Sequence, residues 1–206
     1  MKFYTNHNAP SPNRVNQMLK AKGVELDAQI VDLRSGEHMQ PAYAAINPRC
    51  TVPALVLGDG SCLTEVVGIC AYLDALYPDK PMMGVTAEER AKVLNWMHRI
   101  FTDMTMAIAE VLRNSSPAMK DRALPGPHNF AQIPELVERG RARFPIFVAD
   151  LDQHLQNNAY ITGDTLRQPD IDAYVALQFA GWVKFVPDDS LQALAAWQQK
   201  VAAAVA

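Results

Sequence analysis

The 206-residue sequence has no run of about 18 consecutive apolar residues, the length a membrane-spanning helix needs. Its opening, Met1-Lys2-Phe3-Tyr4-Thr5-Asn6-His7-Asn8, lacks the apolar stretch of a secretory signal. A cytoplasmic protein with no membrane partner is therefore expected. Blocks of Lys and Arg are missing too. The 19 basic and 22 acidic residues are interspersed and the formal net charge is −3, so a phosphate-tracking surface, and with it a nucleic-acid partner, has no support. Cysteine is scarce: Cys50, Cys62 and Cys70 make an odd count without CxxC spacing, which points to neither a disulfide framework nor a zinc ribbon. Cys62 and Cys70 read as small buried hydrophobes.

What is present suffices for a real core, since 49% of residues are hydrophobic, enough for one large domain or two small ones. Lys2 to Thr5 reads as a strand, Asn6 to Asn13 as a turn-prone stretch with Pro10 and Pro12, and Val15, Met18 and Leu19 as a helix ending at Gly23. Gln29-Ile30-Val31 is a second strand. Ala54 to Leu57, Asp59-Gly60, and Ser61 to Leu63 form a hairpin. Thr64 is placed to cap a helix carrying Val67, Ile69, Cys70, Leu73 and Leu76, which Pro78 and Pro81 end. The order strand–helix–strand, a weak helical stretch, then strand–strand–helix is the layout of a thioredoxin-like α/β domain, although other small α/β folds share it.

Beyond Pro81 the strand patterns stop. Thr86-Ala87-Glu88-Glu89 is a capping box that opens a single long helix running to Asn114-Ser115-Ser116-Pro117. An irregular loop with Pro125-Gly126-Pro127 follows, then helices over 135–156 (with a kink at Pro145), 169–185 and 190–204. The expected organisation is a domain over 1–80 and an all-helical domain over 87–206.

Asn47-Pro48-Arg49-Cys50-Thr51-Val52-Pro53-Ala54-Leu55, then Asp59-Gly60, then Leu63-Thr64-Glu65-Val66-Val67-Gly68-Ile69-Cys70-Ala71-Tyr72-Leu73 and Tyr77-Pro78 resemble, in order and spacing, the signature of the cytosolic glutathione transferases. Gly36 to Pro41, Gly163-Asp164 and Pro169-Asp170-Ile171 add to the likeness. The resemblance implies a thioredoxin-like N-terminal domain (βαβαββα) that binds glutathione as co-substrate, without a metal. It also implies an all-α C-terminal bundle forming the electrophile pocket, and a homodimer packed through the helix near Glu65 and the long helix near Ala87.

The same likeness implies the site. Val52-Pro53, with a cis bond, would offer the Val52 backbone to the cysteinyl unit of glutathione as in strand addition, with Thr51 beside it. Glu65 and Val66 would present helix N-terminal amides to the γ-glutamyl carboxylate, Glu65 pairing with the γ-glutamyl ammonium, and His38 would hold the glycine carboxylate. A free thiol has a pKa of about 8.5, so the reaction needs a group that stabilises the thiolate. Ser11, just ahead of a helix started by Pro12, is the expected donor to the sulfur, with Thr5, Asn6, Asn8 and Asn13 as alternatives.

Plainer readings stand beside these: Ser11 as a helix cap, His38 as a loop residue, and Glu65 as a first-turn carboxylate. Met97, Phe101, Met104, Thr105 and Ile108 fit either the electrophile pocket or the core. Cys50 fits an inert loop thiol or a partner for a mixed disulfide. One departure stands out. Val66 occupies a position where the family has Ser, and losing that hydrogen bond to a charged group is worth on the order of 1.5–3 kcal/mol if nothing replaces it. Arg167 likewise stands where relatives have a capping Ser or Thr. The expected reaction is conjugation of glutathione to an apolar electrophile. Glutathione-dependent isomerisation, peroxide reduction or disulfide exchange, and a non-catalytic binding module, are the alternatives.

Overall fold

A computed structural model describes all 206 residues and divides them into two compact units, Met1–Lys80 with Leu124–His128, and Pro81–Ala123 with Asn129–Ala206. The boundary at Lys80 follows the change from strand to helix patterns. The return of Leu124–His128 to the first unit was not expected. In this strap Gly126, at φ +117, lies close enough to the Arg49 carbonyl that a Cβ on it would sit 3.6 Å away.

The first unit holds β1 (Lys2–Thr5), α1 (Pro10–Lys22), β2 (Ala28–Ile30), a 3-10 turn (Glu37–Met39), α2 (Pro41–Ala44), β3 (Ala54–Val56), β4 (Cys62–Leu63) and α3 (Val66–Leu76). The sheet order is β2-β1-β3-β4, with β1 parallel to β2 and antiparallel to β3, and β3 antiparallel to β4. This is the thioredoxin-like arrangement. Strand alternation divides the core: Phe3 opposite Leu55 faces one side, while Tyr4 opposite Ala54 faces the other and packs with Val31 and Tyr43. β2 lies one residue earlier than its apolar run suggested.

α1 packs on α3, and a buried ion pair ties them. Lys22 Nζ donates to Asp74 Oδ1 at 2.7 Å and to the carbonyls of Asp79 and Lys80 at 3.1 and 2.9 Å. All three ammonium donors are thus used, which is the condition under which a buried lysine is tolerated.

The second unit holds α4 (Ala87–Arg99), a π-helical turn (Ile100–Thr105), α5 (Met106–Ser115), a 3-10 turn (Pro117–Met119), α6 (Glu135–Leu155), α7 (Gln168–Ala180), a 3-10 turn (Gly181–Val183) and α8 (Gln192–Ala204). The capping box at Thr86 and Glu89 forms as expected, and the chain stays helical from Ala87 to Ser115, with the π turn changing the hydrogen-bond register inside it. Arg143 of α6 donates to the Thr102 carbonyl inside that turn, supplying a partner where the helical ladder changes register. α6 runs on through Pro145. At Gly140 it meets α5 so closely that a Cβ would lie 2.4 Å from the Ala107 carbonyl.

Met104 and Ile108 are fully buried in the core of the helical unit and Met97 is fully buried as well, whereas Phe101 is 41% exposed. α8 has no side-chain cap of its own; Asp152 of α6 accepts the Leu194 amide at 2.8 Å and serves in its place. No helix is long and apolar enough to cross a membrane.

Candidate functional site

Sheet topology alone gathers the expected residues. β1 pairs antiparallel with β3, Tyr4 opposite Ala54, so the segment before Ala54 lies at the C-terminal end of β1. β4 runs back along β3, so Thr64, Glu65 and the start of α3 reach that same end; β2, parallel to β1, brings its outgoing loop there as well. The loop before α1, the Thr51–Pro53 segment, the α3 N-terminus and the loop bearing His38 therefore share one end of the sheet.

α1 begins at Pro10, not at Pro12, which places Ser11 inside the first turn. Proline at both flanking positions removes two of the three leading N–H groups, so Ser11 alone offers donors there, an amide and a hydroxyl. The hydroxyl makes no hydrogen bond within the chain, and Ala9, at the cap position, provides no side-chain cap. No acidic residue sits in the first turn. The positive end of α1 is thus left uncompensated.

Of the alternative donors, Thr5 and Asn6 are engaged, while Asn8 and Asn13 keep their side-chain amide donors open. Thr5 Oγ1 donates to Asn16 Oδ1 at 2.8 Å, and Asn6 donates to the Val31 carbonyl while its Oδ1 accepts the amides of Asn8 and Ala9. Asn13 Oδ1 accepts from Gln17. Asn8 is exposed.

The Val52-Pro53 bond is cis. Neither the N–H nor the C=O of Val52 is bonded within the chain. The residue before it is held firmly: the Thr51 carbonyl accepts from Tyr43 Oη and Asn47 Nδ2, both at 2.7 Å. Asn47, fully buried, also accepts the Arg49 amide at 3.0 Å through Oδ1 and so shapes the whole 47–51 loop. Within that loop Cys50 is 5% exposed at φ +51, its thiol turned toward the Pro48 carbonyl. Cys70 is buried as expected, whereas Cys62 is only partly so.

Burial pushes the Tyr43 phenol up to about 12, so it stays a donor throughout the neutral range. The folded state holds this proton more tightly than the unfolded one. Its contribution to stability is therefore full below pH ~10 and is lost as pH rises through about 12. In an alkaline titration followed by phenolate absorbance, Tyr43 should ionise last of the six tyrosines. Complete ionisation of all six by pH ~11 would contradict the burial argument.

Glu65, not Thr64, is the cap residue of α3, with extended backbone and no side-chain capping bond. Its carbonyl accepts the Ile69 amide at 3.0 Å, which leaves the amides of Val66, Val67 and Gly68 as the open N-terminal donors. The Val66 side chain is buried at 7% exposure and adds no polar atom to the site. The Glu65 carboxylate is exposed and lies 3.4 Å from the Arg49 guanidinium. His38 sits in the 3-10 turn after β2, partly buried. Arg49, Tyr43 and Asn47 had no assigned role from sequence. Their common signal is only that they flank or lie within the Asn-Pro…Val-Pro stretch.

Residues 10–76 match the family model described as glutathione S-transferase, N-terminal domain. The chain is 31% identical over 175 residues to glutathione S-transferase F9 of Arabidopsis thaliana, covering 83% of this chain and 76% of that one. It is 28% identical over 204 residues to glutathione S-transferase 2 of Saccharomyces cerevisiae, covering 98% and 85%. A glutathione S-transferase domain-containing protein of Marinobacter aquaeolei, known by crystal structure, superimposes with a TM-score of 0.91 at 28% identity, over the full length of both chains. The fold, the matched domain and these relatives agree, and the chain belongs to the glutathione S-transferase family.

Proposed function

We propose that the protein binds glutathione at the shared end of the sheet, ionises its thiol, and adds the sulfur to an electrophilic, apolar carbon centre. The observation that carries this reading is the set of unused backbone and hydroxyl groups gathered there. The free N–H and C=O of Val52 are a complete pair for the cysteinyl backbone of a tripeptide, next to the bonded carbonyl of Thr51 that fixes their position.

The open amides of α3 take the γ-glutamyl carboxylate, and Glu65 takes the ammonium beside it. His38, from the turn after β2, takes the glycine carboxylate. Pro53 sets the chain direction between Val52 and β3. Ser11 donates its hydroxyl to the sulfur, and the uncompensated α1 terminus adds positive potential. The thiol proton leaves to solvent, and the thiolate forms the carbon–sulfur bond as the electrophile's leaving group departs with its electron pair. Glutathione is consumed as co-substrate.

Calorimetric titration with glutathione tests this. Wild type should bind, and Glu65→Ala should weaken binding by about tenfold or more, the value of a charge-assisted hydrogen bond. Absence of heat at millimolar glutathione would refute the reading.

A further inference from the structure

A γ-glutamyl headgroup is a zwitterion, so a site that reads it needs an anion and a cation side by side. Here Glu65 Oε1 and Arg49 Nε lie 3.4 Å apart at the N-terminus of α3. Both side chains are open to solvent, 73% and 67% exposed, so the pair contributes little to stability and is free to exchange partners. The backbone beneath Arg49 is, by contrast, fixed. Its amide is bonded to the buried Asn47, and the Gly126 strap backs its carbonyl.

We propose that Arg49 binds the γ-glutamyl carboxylate and supplies the side-chain donor that Val66 does not provide. This rests on the glutathione-binding reading above and adds a specificity-determining residue to it. Val66 contributes only its amide. An arginine brings a planar fork that suits a carboxylate, at full charge, from the loop that already carries Val52. On binding, the guanidinium turns from Glu65 to the ligand carboxylate as the ligand ammonium takes its place at Glu65. One ion pair becomes two, with no net charge left uncompensated.

The test uses three ligands on the intact protein: glutathione, the analogue lacking the α-carboxylate (γ-aminobutyryl-cysteinyl-glycine), and the analogue lacking the α-amino group (glutaryl-cysteinyl-glycine). Arg49→Ala should weaken glutathione about 10- to 100-fold and leave affinity for the decarboxylated analogue within about twofold of wild type. Glu65→Ala should show the converse pattern, losing its effect on the deaminated analogue. Arg49→Lys should recover part of the loss. Val66→Ser, placed in the Arg49→Ala background, should restore several-fold of it.

Unchanged melting temperatures are expected for the Arg49 variants because the side chain is exposed. Wild-type binding of glutathione that Arg49→Ala leaves within about twofold overturns this inference alone. Equal losses on glutathione and the decarboxylated analogue overturn it as well. A wild type that binds no glutathione overturns the functional reading and this inference together.

Discussion

Replacing Asp170 with alanine is expected to cost about 3–5 kcal/mol of stability, the largest loss of any single substitution considered. Asp170 is fully buried, and its carboxylate accepts three donors: the Ile161 amide and the Trp197 indole N–H at Oδ1, both at 2.8 Å, and the Arg167 amide at Oδ2 at 3.0 Å. These bonds hold together the loop before α7, the start of α7 and the middle of α8. Alanine strands all three donors away from water. Burial pushes this carboxyl above the ordinary aspartate range while the donors pull it back.

Asn at position 170 keeps one acceptor oxygen and the shape but turns an amine toward one donor, so Asp170→Asn should lose about 1–3 kcal/mol. In thermal unfolding the alanine variant should melt roughly 6–20 °C lower. A loss under about 1 kcal/mol would mean that water reaches these donors and that the network is not a structural centre. Arg167, standing where the resemblance leads one to expect a capping hydroxyl, takes another path: its guanidinium bonds the Pro81 carbonyl and lies 3.8 Å from Glu89. The capping role at this helix has passed to Asp170.

Ser11→Ala is expected to lower kcat/KM at neutral pH by about 10- to 100-fold. One hydrogen bond to a charged sulfur is worth about 1.5–3 kcal/mol, which corresponds to roughly 1–2 units of thiol pKa. The reason for so strong a dependence on one residue is local. Pro10 and Pro12 supply no amide protons, so the start of α1 has little besides Ser11 with which to hold an anion. The limb of the pH–rate profile that reports thiol ionisation should move up toward the value of about 8.5 of a free thiol. Ser11→Thr, which keeps the hydroxyl, should fall between the two. A profile unchanged in Ser11→Ala would move the role of sulfur donor to another group of this end of the sheet.

The fold was largely legible in the sequence, and its failures are instructive. Strand and hairpin assignments rested on short apolar runs bounded by Gly and Pro, and β1, β3 and β4 lie where those runs are, with Gly60 at φ +85 in the turn. The long helix runs as read, to Ser115, but its π turn went unread because it leaves the apolar spacing intact: Ile100 and Met104 remain four apart and fully buried either way. Pro117 and Pro134 bounded the intervening loop, but nothing in Leu124–His128 signalled that it rejoins the first unit, where it meets Arg49, distant in sequence. Thr64 looked like the cap of α3 by residue type. The chain instead turns one residue later, at Glu65.

The candidate site shows the same division. The motif stretches named Thr51, Val52, Pro53, Glu65 and Val66, and the sheet topology explains why segments so far apart in sequence meet. Ser11 was singled out as the first-loop donor, although the reason for its isolation, prolines on both sides in a helix starting at Pro10, needed the structure. Nothing in the sequence singled out Arg49 for the role proposed above. Its pairing with Glu65 across 16 positions leaves no periodic or compositional trace. The stripe of Met97, Met104 and Ile108 was ambiguous in sequence because core and pocket both demand apolar side chains, and burial decides it.

The central claim is that this end of the sheet binds glutathione as a thiolate. The most direct test is the ultraviolet absorbance of the thiolate in the wild-type complex, recorded across pH against the free ligand. The account predicts a titration at least about one unit below the free thiol value of about 8.5. A bound thiol that titrates with the free ligand would contradict it.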